Sequence, residues 1–250
     1  MSGHSHWAKI KRYKSATDAK RGNSWSKLAR RIIVAAKHGG GNPDENLSLR
    51  YAIDDARAEN MPNETIRNAI KKGTGALGAV TYESIMYEGY GPGGVAYLVD
   101  CLTDNRSRTA PEMRKIFERA GGQMGATNCV AWMFEQKGTF AIAADKADED
   151  TLMELALESG ADDVTRDGDL FEITCQVPAF NAVKGALAVR KIETISAQIA
   201  MYPKNTVPVG EDKAEKVLNL VELLEENEDV QNVYANFDIP EEILEKVSGK

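Results

Sequence analysis

TFAIAADKADEDTLMELALESGADDVTRDGDLFEITCQVPAFNAVKGALAVRKIETISAQIAM, residues 139–201, switches repeatedly between strand-like and helix-like hydrophobic patterning. Residues 139–143 form a short apolar run with strand character, and residues 150–158 carry apolar positions at helical spacing. Residues 162–165 and 170–175 read as two strands joined near Asp167-Gly168. Residues 180–190 read as a second helix and 195–201 as a fourth strand. The resulting order, βαββαβ, is that of the ferredoxin-like split βαβ unit.

The flanks of this unit belong together. Residues 82–88 and 95–102 are strand-like and rich in Val, Ile, Leu and Tyr, with Gly89-Tyr-Gly-Pro-Gly-Gly94 between them. A helix over 109–120 and a strand over 129–135 follow. Past Pro208, a helix over 212–226 and a strand over 230–236 complete that second unit, so the βαββαβ segment is inserted within it. Residues 240–246 form a short acidic helical tail. Upstream the pattern is helical. Trp25, Leu28, Ala29, Ile32, Ile33 and Ala36 recur at i, i+3, i+4, i+7, i+8 and i+11, which makes 23–38 an amphipathic helix. Asn23 or Ser24 can cap it and Gly39-Gly40-Gly41 ends it. A second helix is expected over 43–60, with Pro43, Asp44 and Glu45 in its first turn. A third begins at Asn63 as cap, presents Ile66, Ala69 and Ile70, and stops at Gly73. The expected class is α+β: an N-terminal helical domain (1–78), then two ferredoxin-like α/β domains, 79–136 plus 207–250 and the inserted 137–206. Gly73–Gly78 would be a hinge.

Charge divides along the same line. The 250 residues carry a net charge of −7, yet residues 1–37 hold ten Lys or Arg against one acid, Asp18, while 79–250 hold sixteen against thirty-one. Such a split points to a polyanionic partner at the basic end and a solubilising, polyanion-repelling remainder. Lys9, Lys11, Arg12, Lys14, Lys20 and Arg21 fall within thirteen residues, interleaved with Trp7 and Tyr13. Lys27, Arg30, Arg31 and Lys37 continue on the helix side opposite the apolar stripe. Lysine and arginine neutralise phosphates and release counterions, giving salt-dependent affinity without base readout. Trp7 or Tyr13 could stack on an exposed base. Replacing Lys27, Arg30 and Arg31 together by Gln should therefore weaken binding, flatten its salt dependence and leave folding intact.

Other chemistry finds little support. Gly89, Gly91 and Gly94 spell G-x-G-x-x-G, but a strand follows instead of a helix, so the glycines serve a tight turn. There is no phosphate-binding loop with G-K-[ST], no H-E-x-x-H and no C-x-x-C. The only histidines are His4, His6 and His38, and the paired acids read as solvated faces. Ser2-Gly3-His4, if exposed by loss of Met1, offers a square-planar nitrogen set for Cu(II), read as adventitious. No metal, cofactor, small-molecule substrate or catalytic residue is expected, and no apolar run reaches the length of a membrane span. Cys101, Cys129 and Cys175 are odd in number, far apart and in apolar settings, which suits reduced thiols in a cytoplasmic protein. The basic, acid-poor start has the composition of a mitochondrial transit peptide, but it is built to pack.

The chain also resembles a known family. Gly3-His-Ser-His-Trp-Ala-Lys-Ile-Lys11 is similar to the GHSxWxxIK signature of the YebC family, which includes the mitochondrial translational activator of cytochrome c oxidase. Asp18-Ala-Lys-Arg21, Val34-Ala-Ala-Lys-His-Gly-Gly40, Leu49-Arg-Tyr-Ala-Ile53, Asn60-Met-Pro62 and Ile70-Lys-Lys-Gly73 follow in the family's order. So do Tyr87-Glu-Gly-Tyr-Gly-Pro92, Leu102-Thr-Asp-Asn-Arg106, Arg108-Thr109 and Gly121-Gly122. The match is dense over residues 2–138 and thinner beyond. Trp25 stands where the family usually has Phe, and Thr127-Asn-Cys129 replaces a typical Ser-Gly-Ser stretch. The resemblance implies three domains, no known enzyme activity, and His4 and Ser5 as further nucleic-acid-binding residues. It also implies DNA-binding transcription regulation. The alternative it implies is a ribosome-associated, RNA-binding translation factor that relieves stalled proline-rich synthesis.

Overall fold

The structure, a computed structural model, describes residues 20–78 and 81–248. The chain is α+β, a helical region followed by antiparallel sheets. The described part opens with α1 (Lys20–Gly39), α2 (Leu47–Ala58) and α3 (Asn63–Gly73). The expected stripe of α1 is buried: Leu28, Ile32, Ile33 and Ala36 meet Leu49, Ile53, Met61 and Ile66 in one cluster. Each such Ile or Leu contributes roughly 1.5–3 kcal/mol on burial. Gly73 is more than a stop. A Cβ there would collide with the Ile33 carbonyl oxygen and come within 2.7 Å of Ala36 Cβ, so glycine permits the close crossing of α3 over α1.

Several boundaries differ from expectation, and Asn63, expected as a cap, is the first residue of α3, with Pro62 before it. α1 starts at Lys20, which puts Asn23 and Ser24 inside the helix instead of at its cap. Pro43–Glu45 form a separate turn, because Asn42 accepts from Glu45 N and Asn46 N through its carbonyl and from Asp44 N through its side chain. Asn46 is then the cap of α2, accepting from Leu49 N at 3.1 Å.

The middle sheet has the order β3-β1-β2-β9, with β1 (Glu83–Tyr90), β2 (Ala96–Thr103), β3 (Gln123–Met124) and β9 (Val230–Ala235). β1 and β2 pair from Glu83↔Thr103 to Tyr90↔Ala96, and the glycine-rich segment turns between them, with Gly93 and Gly94 at φ 79° and 77°. β2 is central and apolar because both its faces are covered. Tyr97, Val99 and Cys101 face α4 (Arg106–Arg119) and α7 (Glu211–Glu226), while Ala96 and Leu98 face Val130 and Phe134. α4 begins three residues before its expected start, capped by Asn105.

The inserted sheet runs β5-β6-β4-β7, from β4 (Phe134–Ala143), β5 (Asp163–Asp167), β6 (Leu170–Gln176) and β7 (Ser196–Pro203). α5 (Glu149–Ser159) and α6 (Phe180–Val189) pack on it around Phe140, Leu152, Leu155, Phe171 and Val183. This strand order is that of the split βαβ unit. The expected strands at 129–135 and 139–143 are in fact replaced by the single strand β4. Gly138, inside that strand, is a packing glycine: a Cβ there would lie 2.6 Å from Cys175 Sγ and 2.8 Å from the Phe180 ring. The middle sheet's fourth strand is accordingly the two-residue β3. β4 and β7 are hydrogen-bonded neighbours from Phe134↔Pro203 to Ala141↔Ser196, so the insertion leaves and returns at one place. β8 (Val207–Pro208) then pairs with β10 (Phe237–Asp238), and α8 (Glu241–Ser248) ends the described chain.

Candidate nucleic-acid interface

The side of α1 opposite its stripe is not one solvated face. Lys27 Nζ donates to the Glu225 carbonyl at 2.5 Å. Burial pushes the Lys27 ammonium's pKa down, offset in part by the Glu225 charge. Arg30 donates to the Glu228 carbonyl and pairs with the carboxylates of Glu228 at 3.3 Å and Asp229 at 3.0 Å. Its guanidinium also lies 5.8 Å from the centre of the Tyr82 ring. These two cations hold the helical region onto the turn between α7 and β9. This corrects the expectation that Lys27 and Arg30 are free for phosphate. A helix opposite an acidic turn has a second buried side that an apolar pattern does not reveal.

The turn's chemistry centres on Asp229, whose side chain is 4% exposed. Its carboxylate accepts from Thr109 Oγ1 at 2.6 Å and from Arg108 at 3.0 Å, besides pairing with Arg30. Burial pushes the Asp229 carboxyl up, but hydrogen bonds from Thr109, Arg108 and Thr103 and the Arg30 charge outweigh it and hold the pKa below the usual range. Thr103, Arg108 and Thr109 come from the Leu102–Arg106 and Arg108-Thr109 motifs, which thus build a junction between regions.

The other expected residues fall in three groups. Arg31 pairs with Asp55 at 2.9 Å, both about half exposed, a contact contributing about 0–1 kcal/mol. Lys37 Nζ donates to Thr81 Oγ1 at 3.1 Å. Lys20 and Arg21 lie in the first turn of α1. His4, Ser5, Trp7, Lys9, Lys11, Arg12 and Lys14, with the Ser2-Gly3-His4 set, lie outside the described residues. The structure adds cations that the charge pattern passed over. Arg67, Lys71 and Lys72 are exposed on α3 and form no ion pair among the described residues, and Arg67 and Lys71 share one helix face.

An open cleft of about 570 Å³ lies between α1, α2 and the end of β2, lined by Arg31, His38, Ser48, Tyr51 and Leu102 among others. Lys184 of α6 reaches its rim, with Nζ 5.3 Å from the centre of the Tyr51 ring. Among the described residues, no group of three or more His, Cys, Asp or Glu could hold a metal ion, and no helix is long and apolar enough to cross a membrane. Cys101 and Cys175 are buried free thiols; burial first, then Asp100 and Asp229, push Cys101 up to about 12.

Replacing Lys27 and Arg30 together by Gln is therefore expected to loosen the helical region as well as alter its charge. Loss of charge-assisted bonds of this kind costs roughly 1.5–3 kcal/mol each at most. Limited proteolysis should cut the exposed 74–78 segment faster in the variant than in the wild type. Equal cutting rates would show that these contacts do not restrain it.

Comparison with known proteins follows the same division. The family described as "TACO1/YebC protein N-terminal domain" matches residues 5–76, and "TACO1/YebC second and third domain" matches 82–237. A Dictyoglomus thermophilum protein named "Probable transcriptional regulatory protein" is 52% identical over 249 residues, covering 99% of this chain and 100% of the relative. A Syntrophobacter fumaroxidans protein of the same name is also 52% identical over 249 residues. The crystal structure of a conserved hypothetical protein, Aq1575, from Aquifex aeolicus superposes with a TM-score of 0.82 at 46% identity, covering 92% of this chain and 96% of that one.

Proposed function

The chain belongs to the TACO1/YebC family, whose members include proteins named as transcriptional regulators, and from that premise we propose that it is a cytoplasmic DNA-binding regulator that grips the phosphate backbone with its basic N-terminal domain. That domain is residues 1–78; the acidic remainder divides into 79–136 plus 207–250 and the inserted 137–206. The observation that carries this reading is the charge division, ten cations against one acid in residues 1–37 beside an acidic remainder. Arg67, Lys71 and Lys72, without ion-pair partners among the described residues, extend the cationic surface on α3. Phosphate contacts position a protein and carry no sequence information by themselves, so base preference would come from DNA shape.

One observation favours ribosomal RNA as the alternative target. Lys27 and Arg30 of α1 are turned into the protein, so that side of the helix cannot read base edges in a major groove. RNA is recognised chiefly by shape, backbone and unpaired bases.

The test is a salt series of duplex binding by fluorescence anisotropy. Wild type should show a steep linear fall of log K with log salt. Replacing Lys9, Lys11, Arg12 and Lys14 by Gln should flatten the slope by roughly 0.9 per lost phosphate contact, about 3–4 in all. An unchanged slope would move the contact surface elsewhere.

A further inference from the structure

Trp132, in the loop that leads into β4, and Tyr90, at the end of β1, are two exposed aromatic side chains joined through one acceptor. Trp132 is 63% exposed and Tyr90 is 38% exposed. Both polar tips end on one acceptor: Trp132 Nε1 donates to the Cys129 carbonyl at 3.1 Å and Tyr90 Oη to the same oxygen at 3.3 Å. The hydrogen-bonding needs of the rings are thus met internally, and their apolar faces are left to solvent.

The loop is also fixed in place. Glu88, 4% exposed, accepts through one oxygen from Asn128 N at 2.6 Å and through the other from Val130 N and Ala131 N, each at 2.8 Å. Gly125 N donates to the Glu88 carbonyl at 2.8 Å, and Asn128 sits at φ 66°. Val130 and Phe134 on either side of the turn are buried against Ala96 and Leu98. The backbone cannot turn to bury the indole without breaking these contacts. A cation also bonds to the turn: Lys204 Nζ donates to the Trp132 carbonyl at 3.1 Å.

A fixed loop and strand end that expose Trp132 and Tyr90, with an ammonium bonded to the loop, match the demands of a single-stranded nucleotide, whose base stacks and whose phosphate pairs. Because the loop is already ordered, little entropy is lost on binding. We infer that Trp132 and Tyr90 form a stacking platform for unpaired bases of a single-stranded nucleic acid, with Lys204 contacting the phosphate. This rests on the nucleic-acid reading above and assigns it a second contact, inside the acidic remainder, where Lys204 supplies a local positive charge against the general repulsion.

The full-length protein would be titrated with a ten-nucleotide oligouridine and, separately, with a duplex. Trp132→Ala should weaken oligouridine binding by roughly 5- to 100-fold, the range for loss of one stacking ring. Trp132→Phe should recover most of it. The salt slope should not change, since the ring carries no charge, whereas Lys204→Gln should lower it by about one. Duplex affinity should stay within about twofold, and the thermal midpoint should not move because the ring is exposed. If wild type binds both ligands and Trp132→Ala leaves oligouridine affinity unchanged, the platform is refuted, the face falls to a protein partner, and the nucleic-acid reading stands. If wild type binds neither, the nucleic-acid reading fails and the platform with it.

Discussion

Replacing Asp229 by Ala is expected to destabilise the protein by about 3–5 kcal/mol, the usual cost of removing one partner from a buried charged cluster. The carboxylate is nearly inaccessible and gathers Thr109, Arg108 and Arg30, from α4 and α1, onto the start of β9. Truncation leaves Arg30, itself only 13% exposed, with Glu228 as its one remaining acidic partner among the described residues, and strips Thr109 Oγ1 of its 2.6 Å acceptor. Urea denaturation of Asp229→Ala and wild type measures the difference. The pH dependence has a definite sign. The folded-state pKa lies below that of an ordinary aspartate, so this stabilisation is fully present above the unfolded pKa and is lost as pH falls through the folded one. Wild type should lose stability below about pH 4, and Asp229→Ala should lack that part of the acid limb. A variant within 1 kcal/mol of wild type would mean that the cluster does not join the regions.

Glu88→Ala should rank next, at about 3 kcal/mol or more. Three backbone N–H groups lose their acceptor at once, and the Val130 amide is buried, where an unmet donor costs about 1–3 kcal/mol. Glu88→Gln should be nearly as severe. One carbonyl oxygen then replaces two carboxylate oxygens, and the new NH2 group faces amide donors. The loss should be local first, with residues 125–133 becoming protease-sensitive and Trp132 emission shifting before global unfolding. A Glu88→Ala protein that melts like wild type with unchanged Trp132 emission would show that the loop holds its shape without the carboxylate.

The sequence makes some of these elements plain and conceals others. The inserted βαββαβ unit is legible because each element keeps one hydrophobic period over its length. The stripe of α1 is legible for the same reason. The joining of the segments 129–135 and 139–143 into one strand is hidden, because only the fold shows that Gly138 sits within it against the Phe180 ring. The start of α2 misleads because Asn42 and Asn46 compete to cap, and only the fold decides between them. The fate of Lys27 and Arg30 is invisible locally, since their acceptors lie 198 residues away. Asp229 is likewise one of thirty-one acids in residues 79–250, and only the packing of α1, α4 and β9 marks it out. Trp132 lies in the segment expected as a strand over 129–135, and only the loop built on Glu88 turns it outward. The charge division needs no fold to be seen, and so it carries the functional conclusion.

The most direct measurement is co-sedimentation of the full-length protein with 70S ribosomes across a salt series, with duplex DNA as competitor. The expected result is that duplex DNA strips the protein from the ribosomes, and that purified protein shifts the same duplex with steep salt dependence. Salt-sensitive ribosome binding that excess duplex cannot displace would contradict a DNA-binding regulator and establish the RNA-directed alternative.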